Sequence, residues 1–191
     1  MPLTESCNSF LGFLRTCTPE DFRGSRVEEY LRGHPISAPD FAPFHFFRDD
    51  CYGRNLVVRN ECFELLVLTW LPKQRTPIHD HASQRCWMMI TQGKLAMRNY
   101  APYIDGAHEV TPLGGAQTHS AGEAVYIDDM IAMHSIANAS SEPAVSIHLY
   151  AGPVPRCRIY DEAARDFAWK ELCYFTIPGE GRANHLSALR L

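Results

Sequence analysis

The chain has 191 residues, of which 46% are hydrophobic and 21% are charged, as is typical of a folded globular protein. Its formal net charge of −4 gives no electrostatic reason to expect nucleic acid or an anionic membrane as a partner. We therefore expect a single domain over residues 1–191, with neither nucleic acid nor membrane among its partners. We also favour a monomer, although the sequence does not encode the oligomeric state in any readable pattern.

The beginning of the chain and its cysteines indicate a cellular compartment. The stretch MPLTESCNSFLGFLRTC lacks the basic segment and the sustained apolar run of a secretory signal. The seven cysteines are odd in number and scattered, and they contain no CxxC pair. This pattern argues against a disulfide framework or a structural zinc knuckle, so we expect reduced thiols and a cytoplasmic location.

Residues 1–45 are predicted to form a small helical cap. In TPEDFRGSRVEEYLRG, Thr18 is placed as the N-cap, Pro19 as the first helical residue and Gly33 at the end, which predicts one helix. An apolar pattern over residues 10–14 predicts a shorter helix before it. The proline-rich HPISAPDFAPF then predicts a connector with at most one helical turn.

The periodicity changes to that of β-strands over about residues 50–178. Segments such as FELLVLTWL, CWMMITQGKLAMRNY, EAVYIDD and AVSIHLYAG are rich in β-branched and aromatic residues, with turn residues between them. Many short strands without intervening amphipathic helices favour an antiparallel barrel or sandwich. The predicted fold class is mainly β, with one antiparallel β-barrel behind the helical cap.

The stretch IHDHASQRC contains the first indication of a metal site. Side chains alternate along a strand, so His79 and His81 are expected to project to the same side and Asp80 to the other. A third ligand is needed, and His134 and His148 both lie in strand-like surroundings. The remaining histidines are expected to face solvent or to lie near the surface: His34, His45, His108, His119 and His185.

Spacing favours His134 as the third ligand. His79 and His81, followed by Cys86 and Gly93, have the spacing of the first cupin motif, with cysteine in place of its glutamate. His134, followed four residues later by Asn138, has the spacing of the second motif. The chain departs from these motifs at three positions: Lys73 and Ile131 stand in place of glycines, and Asp129 in place of a proline. Three imidazoles would suit zinc with a bound water or iron(II), and the ligands alone leave both open.

The segments CYGRNLVVRNECFELLVLTWLPKQRTPIHDHASQRC and AVYIDDMIAMHSIANASSEPAVSIHLYAGPVPRC together resemble cysteine dioxygenases. This family has the cupin fold and non-haem iron, and the resemblance covers roughly residues 50–160. It implies that His79, His81 and His134 hold iron(II). It also implies that L-cysteine and dioxygen are the substrates and that cysteine sulfinic acid is the product.

The resemblance also implies roles for residues outside the metal site. Arg54 matches the arginine that binds the substrate carboxylate, with Tyr52 beside it. Tyr150 matches the active-site tyrosine, and Cys86 matches the cysteine that becomes thioether-linked to it. Ser146 and His148 match the residues that orient this tyrosine, and the alternation of a strand would place Ser146, His148 and Tyr150 on one side. Trp70 and Cys157 also fall on family positions.

Other interpretations stay open at this point. Arg54 could be a surface charge, and the tyrosine, the cysteines and the polar strand residues could be ordinary packing residues. A 3-mercaptopropionate dioxygenase, whose relatives carry glutamine at the position of Arg54, is the alternative enzyme. A non-catalytic metal-binding cupin or thiol sensor and a zinc hydrolase are further alternatives. Ala151-Gly152-Pro153 replaces the Ser-Pro-Pro of animal enzymes, which makes a cis peptide before Gly152 unexpected.

Overall fold

A computed structural model describes residues 3–179 and 181–182. His185, which was expected to face solvent, lies outside the described residues. Two largely antiparallel sheets contain most of the regular secondary structure of the described chain. The strands are β1 Gly53–Arg59, β2 Glu64–Trp70, β3 Ile78–His79, β4 Cys86–Gln92, β5 Lys94–Tyr100, β6 Gln117–Ser120, β7 Ala124–Ile127, β8 Met133–Ala137, β9 Ala144–Tyr150, β10 Arg156–Asp161, β11 Asp166–Glu171, β12 Thr176–Ile177 and β13 Gly181–Arg182.

The strand order places the candidate residues on facing sheets. One sheet has seven strands in the order β13-β12-β1-β2-β9-β4-β7, and the other has six in the order β11-β10-β3-β8-β5-β6. All pairs of strands are antiparallel except β1 and β12. Strands β2, β9 and β4 are neighbours in the first sheet, and β3 and β8 are neighbours in the second. The predicted mainly-β fold is therefore confirmed.

The N-terminal cap is helical, as predicted, but its elements differ from the prediction. The helices are α1 Glu5–Thr16, α2 Pro19–Arg23 and α3 Arg26–Gly33, followed by a 3₁₀ helix, Ala38–Phe44. The single helix predicted after Thr18 is interrupted at Gly24, which is extended (ψ −158°), so that α3 begins separately. The connector is also more helical than predicted, because Ser37 and Asp40 form a capping box that begins the 3₁₀ helix.

The interior between the sheets is one apolar cluster to which both sheets contribute. Leu66, Leu68 and Trp70 of β2 point inward, and they meet Leu95 and Ile136 of the other sheet. All of these side chains are almost fully buried. Because successive side chains point to opposite faces of a strand, the residues between them must point outward from the same sheet.

The outward-pointing residues of the large sheet lie under the helical cap. Leu65 and Val67 belong to a second apolar cluster, together with Phe10, Leu14 and Phe22 of the helices. Strand β2 is consequently buried along its whole length, Glu64–Trp70. We call the side toward the second sheet the inner face and the side under the helices the outer face.

Gly93, the last residue of the first motif, makes the tight turn between β4 and β5. Its φ is +73°, a left-handed conformation that glycine adopts without strain. A Cβ at this position would lie 2.9 Å from the Cβ of Ala144, closer than side chains pack. Lys73, at the position of an earlier motif glycine, also has a positive φ of 70°. Lys73 thus adopts at this position a backbone conformation that glycine favours.

Candidate metal centre and substrate cavity

Three histidines meet inside the barrel, two of them in neighbouring strands of the smaller sheet and one in the loop that follows β3. His79 ends β3 and lies directly opposite His134 of β8, while His81 follows two residues after His79. One ring nitrogen from each lies within 4.8 Å of the others, and no other such group of histidine, cysteine or acidic residues is present in the part of the chain that the structure describes. His81 and His134 are buried, and His79 is half-buried. Of His134 and His148, the two candidates for the third ligand, His134 is the one that joins the group.

Hydrogen bonding leaves the same nitrogen of each ring turned toward the centre. Nδ1 of His79 lies 3.0 Å from the carbonyl oxygen of Pro77, and Nδ1 of His81 lies 3.2 Å from the Asp129 carboxylate. Nδ1 of His134 lies 3.2 Å from the sulfur of Met97, a weak acceptor. Each Nδ1–H has an acceptor, so each Nε2 keeps its lone pair.

The lone pairs of two of these nitrogens face each other. Nε2 of His81 and Nε2 of His134 are 3.1 Å apart, which is unfavourable for two acceptors unless a cation lies beside them. Burial and the neighbouring His81 lower the pKa of His79 to about 3, and burial lowers the pKa of His134 well below its usual value. The rings of His79 and His134 are therefore neutral, as metal ligands must be, and the set of three imidazole donors fits a transition-metal ion.

Asp129 holds the loop that carries His81, a role that the sequence analysis missed. Besides its contact with the ring, Asp129 Oδ1 accepts the backbone N–H of His81 at 2.7 Å, and Oδ2 accepts that of Ser83 at 2.6 Å. Ala82 and Ser83 have positive φ values of 50° and 66°, so the loop needs such support. A carboxylate behind a metal-binding histidine fixes the ring and raises its basicity. The only sequence signal was an acidic residue at a position where the motif has proline.

Asp80 points away from the metal-binding face, as predicted. Its Oδ1 accepts the backbone N–H of Arg158 at 2.8 Å, and its Oδ2 lies 3.2 Å from Arg158 Nη1. This carboxylate therefore ties the histidine loop to β10 rather than contributing to the ligand set.

A small cavity lies beside the three histidines. It has a volume of about 50 Å³, enough for several water molecules or a small organic molecule. Its lining combines apolar side chains such as Leu68 and Ile159 with Arg54, Tyr150 and the rings of His79 and His81. Metal ligands and a cationic group thus open onto the same space.

Arg54 is a buried cation with free donors. The residue is 5% exposed, which excludes the surface position that the sequence left open. Neither Nε nor Nη2 has a hydrogen-bond partner among the described residues, although these two groups form one edge of the guanidinium. The nearest acid is Glu64, whose Oε1 lies 3.8 Å from Nη2. Burial alone would lower the pKa of Arg54, but Tyr150, Tyr52 and Glu64 raise it, so the group stays charged.

A row of hydrogen bonds runs along the inner face of β9. Trp70 Nε1–H donates to Ser146 Oγ at 3.0 Å, and Ser146 Oγ lies 2.9 Å from His148 Nε2. His148 Nδ1 lies 3.4 Å from the hydroxyl oxygen of Tyr150. The predicted alignment of Ser146, His148 and Tyr150 is thus present in the structure. Trp70, which the sequence suggested as a packing residue, both packs and begins the row.

Cys86 and Tyr150 are direct neighbours across two strands. They form a register pair between β4 and β9, so their Cβ atoms are in the range of closest cross-strand contact. Cys86 Sγ also lies 3.9 Å from His148 Nδ1. Burial raises the pKa of both the Cys86 thiol and the Tyr150 phenol well above their usual values. Both side chains are neutral at physiological pH.

The family model described as cysteine dioxygenase type I matches residues 25–163. The chain belongs to the cysteine dioxygenase type I family. Cysteine dioxygenase type 1 of Danio rerio is 29% identical over 164 residues, which cover 84% of this chain and 81% of that protein. The enzymes of Rattus norvegicus and Homo sapiens are each 30% identical over 138 residues, covering 71% of this chain and 68% of theirs. Family membership makes the protein an oxidoreductase.

A solved structure with the same fold has much lower sequence similarity. A protein with a double-stranded β-helix domain from Klebsiella pneumoniae has a TM-score of 0.50 and 15% identity, and the match covers 69% of this chain and 94% of that one. The likeness confirms the cupin-type barrel predicted from the motif spacing.

The remaining candidates of the cysteine dioxygenase resemblance also lie at the cavity. Tyr52 stacks on Trp70 with 4.8 Å between ring centroids and lines the cavity, so it combines both roles that the sequence suggested. Cys157 is buried and lines the cavity as well, and burial raises its pKa to about 12. All seven cysteines are free thiols, in agreement with the absence of a disulfide framework.

The segment after the family tyrosine has its own geometry. All peptide bonds of the described residues are trans, as expected for glycine at this position. Gly152 has a φ of +117°, and a Cβ there would lie 2.8 Å from Gln84 Oε1. The glycine therefore lets the chain turn close to the loop that follows His81.

The described histidines outside the metal centre and the row on β9 differ in their exposure. His34 and His108 are exposed, as predicted. His45 and His119 are half-buried, and the Nε2 of each is enclosed without a hydrogen-bond partner in the described structure. The expected placement near the surface therefore holds for them only in part. No described helix is both long enough and apolar enough to cross a membrane.

Proposed function

We propose that the protein is an iron(II)-dependent thiol dioxygenase that converts L-cysteine and dioxygen to cysteine sulfinic acid. The observation that carries this proposal is a group of three histidine rings, two of which line one small cavity, together with a buried guanidinium that opens onto the same cavity with a free edge. The first suits a metal that binds a thiolate, and the second suits the carboxylate of the same small molecule.

The metal would be held by the Nε2 atoms of His79, His81 and His134. When bound, iron(II) would supply the coordination that activates the substrate thiol and dioxygen toward each other. Three neutral ligands leave the charge of the ion to be balanced by an anionic substrate, which suits a thiolate. Met97 and the Asp129 carboxylate would hold the rings in place from behind.

Arg54 would bind the substrate carboxylate through Nε and Nη2. This edge of the guanidinium accepts a carboxylate in a bidentate geometry, and both donors are buried and unpaired. Tyr52 closes the cavity beside it. Fixing the carboxylate removes rotational freedom from a three-carbon substrate, and its sulfur is thereby kept next to the histidines.

Tyr150 would hold a proton on its hydroxyl at the wall of the cavity. Ser146 accepts from Trp70 and donates to His148 Nε2, so His148 Nδ1–H donates to the phenol oxygen. The hydroxyl proton of Tyr150 is then free to point into the cavity. Because burial raises the pKa of this phenol, the proton stays in place at neutral pH. Tyr150 would hydrogen-bond the oxygen or sulfur atoms of the bound substrates.

We also propose a Cys86–Tyr150 thioether. Its formation joins Sγ to a ring carbon and releases two protons and two electrons, which dioxygen accepts at the oxidising centre. The cross-strand register of the two residues supports the bond. Intact mass before and after aerobic turnover tests it: we expect a species lighter by two hydrogen atoms in the wild type and none in Cys86→Ser.

The seven free thiols support a reducing, cytoplasmic setting. We further propose that the enzyme works as a monomer on small molecules, with neither nucleic acid nor a membrane as a partner. Sedimentation of the purified protein tests the first part: a stable dimer would contradict it.

The decisive experiment measures oxygen uptake and sulfinic acid formation by the iron(II)-loaded protein with L-cysteine and with 3-mercaptopropionate. We expect L-cysteine to be the better substrate and Arg54→Gln to lose about 100-fold or more in kcat/KM for it, since a bidentate charged contact is removed. A wild type that prefers 3-mercaptopropionate would support the alternative enzyme. Tight thiol binding without oxygen uptake would support a sensor. Hydrolytic activity of the zinc-loaded protein, with no dependence on iron(II), would support a hydrolase.

A further inference from the structure

Glu64 is a buried acid that stands behind the substrate-binding arginine. It begins β2 and pairs in register with Tyr150 of β9, and its side chain is 0% exposed. It does not line the cavity, so it would act on a substrate through its charge behind Arg54 and not by direct contact. Nothing in the chemistry proposed above requires an acid at this place.

The two carboxylate oxygens of Glu64 have different surroundings. Its Oε2 accepts the backbone N–H of Val154 at 2.8 Å. Burial and hydrogen bonding to Glu64 raise the pKa of Tyr174 to about 12, and Arg59 Nη1 in turn donates to the Tyr174 hydroxyl at 3.1 Å. The other oxygen, Oε1, is buried and has no hydrogen-bond partner among the described residues.

The distance between the acid and the arginine is the informative quantity. Oε1 lies 3.8 Å from Arg54 Nη2, too far for a hydrogen bond but close enough for a strong charge interaction in a buried setting. Glu64 therefore compensates the charge of the guanidinium and leaves Nε and Nη2 free as donors. A buried arginine without a counter-charge would be costly, which explains why an acid is present.

We propose that Glu64 is a positioning residue that determines substrate specificity by weakening the preference of the cavity for thiols that carry a carboxylate. The inference rests on the proposed function. A substrate carboxylate that reaches Arg54 also approaches the negative charge behind it, and this repulsion offsets part of the attraction. A thiol without a carboxylate meets a site whose net charge is already near zero, so it is not penalised.

The test compares L-cysteine with 2-aminoethanethiol, which has the same amine and thiol but lacks the carboxylate. The wild type, Glu64→Gln and the control Asp40→Asn are each loaded with iron(II). Asp40 is a buried acid of the helical cap that does not line the cavity. Dissociation constants are measured anaerobically by calorimetry, and kcat and KM are measured in air. Thermal melting verifies that each variant is folded.

In Glu64→Gln we expect the selectivity for L-cysteine over 2-aminoethanethiol to rise about tenfold, in the dissociation constant and in KM rather than in kcat. Asp40→Asn should leave the ratio unchanged. A ratio in folded Glu64→Gln that equals or falls below that of the wild type overturns the proposal. If the glutamine variant does not fold, Glu64→Asp takes its place, because its side chain is one methylene shorter and holds the carboxylate farther from Arg54. A smaller rise supports the proposal, and an unchanged ratio overturns it.

The binding measurement separates this inference from the proposed function. If the wild type binds both thiols but forms no sulfinic acid, the dioxygenase assignment fails, while a selectivity shift in the anaerobic dissociation constants still supports the role of Glu64. If sulfinic acid forms and the binding selectivity does not change in the variant, the dioxygenase assignment stands and the role of Glu64 is wrong.

Discussion

The two faces of strand β9 show how one strand serves both stability and the candidate site. Val145, Ile147 and Leu149 point to the outer face and are buried under the helical cap. Ser146, His148 and Tyr150 alternate with them and point to the inner face, where they form the hydrogen-bonded row. The outer residues are interchangeable with other apolar residues of similar volume, whereas each inner residue depends on a particular donor or acceptor.

The comparison implies that substitutions on the two faces have different consequences. Loss of volume on the outer face should lower the free energy of unfolding and leave the chemistry of the folded protein intact. Loss of a polar group on the inner face should change metal binding, substrate binding or pH dependence with a smaller effect on folding. The predictions below test this division, beginning with the largest expected effect.

The first prediction concerns His134, at the inner face of the smaller sheet. In His134→Ala we expect iron(II) affinity to fall by more than the roughly 10–100-fold that losing an outer partner of a metal ligand costs, with loss of sulfinic acid formation. Metal analysis after dialysis and oxygen uptake measure both. His108→Ala, at an exposed histidine, is the control and should bind iron normally. Full iron retention in His134→Ala would contradict the proposed ligand set.

The second prediction concerns Phe22, a residue of helix α2 that packs against the outer face of the large sheet. Phe22 is 1% exposed and packs against Phe63 and Trp87, with ring centroids 5.8 and 6.3 Å away. Phe22→Ala should destabilise the protein by about 3–5 kcal/mol, as measured by urea denaturation, because a buried ring is replaced by a cavity. Below the unfolding transition its kcat/KM should match the wild type. A large loss of activity in the folded variant would show that the two faces are coupled.

The third prediction concerns Asp129, which supports His81 from behind. Asp129→Asn should weaken iron(II) binding by about 10–100-fold, because the ring of His81 loses a charged acceptor. A competition titration with a chelator measures the affinity. Asp128→Asn is the matched control, since the Asp128 carboxylate contacts Tyr126 and the backbone of Met130 instead. Equal effects of the two variants would refute a specific role for Asp129.

The fourth prediction is a pH dependence from His148, which is neutral because burial lowers its pKa well below 6.5. The unfolded chain takes up a proton on this side chain below about pH 6.5, whereas the folded protein does not, so stability falls as the pH falls. The contribution of His148 should be about 1 kcal/mol between pH 7 and pH 5.5.

Urea midpoints of the metal-free protein at the two pH values test this dependence. His148→Gln should show a correspondingly smaller loss on acidification, since the glutamine does not titrate. His34→Gln, at an exposed position, should retain the dependence of the wild type. An identical pH dependence in His148→Gln and the wild type would show that His148 does not carry the effect.

Sequence reasoning was effective where a local period fixes the direction of side chains. The alternation of strands correctly placed His79 with His81, and Ser146 with His148 and Tyr150, on common faces. It was less effective in the cap, where Gly24 interrupts a helix that its flanking signals predicted as continuous. Helix-favouring patterns do not show how the helix must bend over the sheet beneath it.

Contacts between distant segments were the part that sequence reasoning missed. Asp129 lies 48 residues after His81 and replaces a motif proline, so no spacing rule marked it as a partner of the loop. Glu64 has the sequence appearance of a polar residue at the start of a strand, and only the pairing of β2 with β9 places it inside the barrel. The role of each acid becomes visible only from the residues that the fold brings next to it.

The amino-acid sequence by itself determined the barrel, the sides on which the histidines project and the family, because strand periodicity and motif spacing are local properties of the chain. The tertiary structure alone decided which acids accompany the metal-binding histidines and the arginine. It also decided that the donors of Arg54 are both buried and free. Charge compensation and desolvation depend on distances between strands that are far apart in sequence, and those distances exist only once the sheets have closed around the cavity.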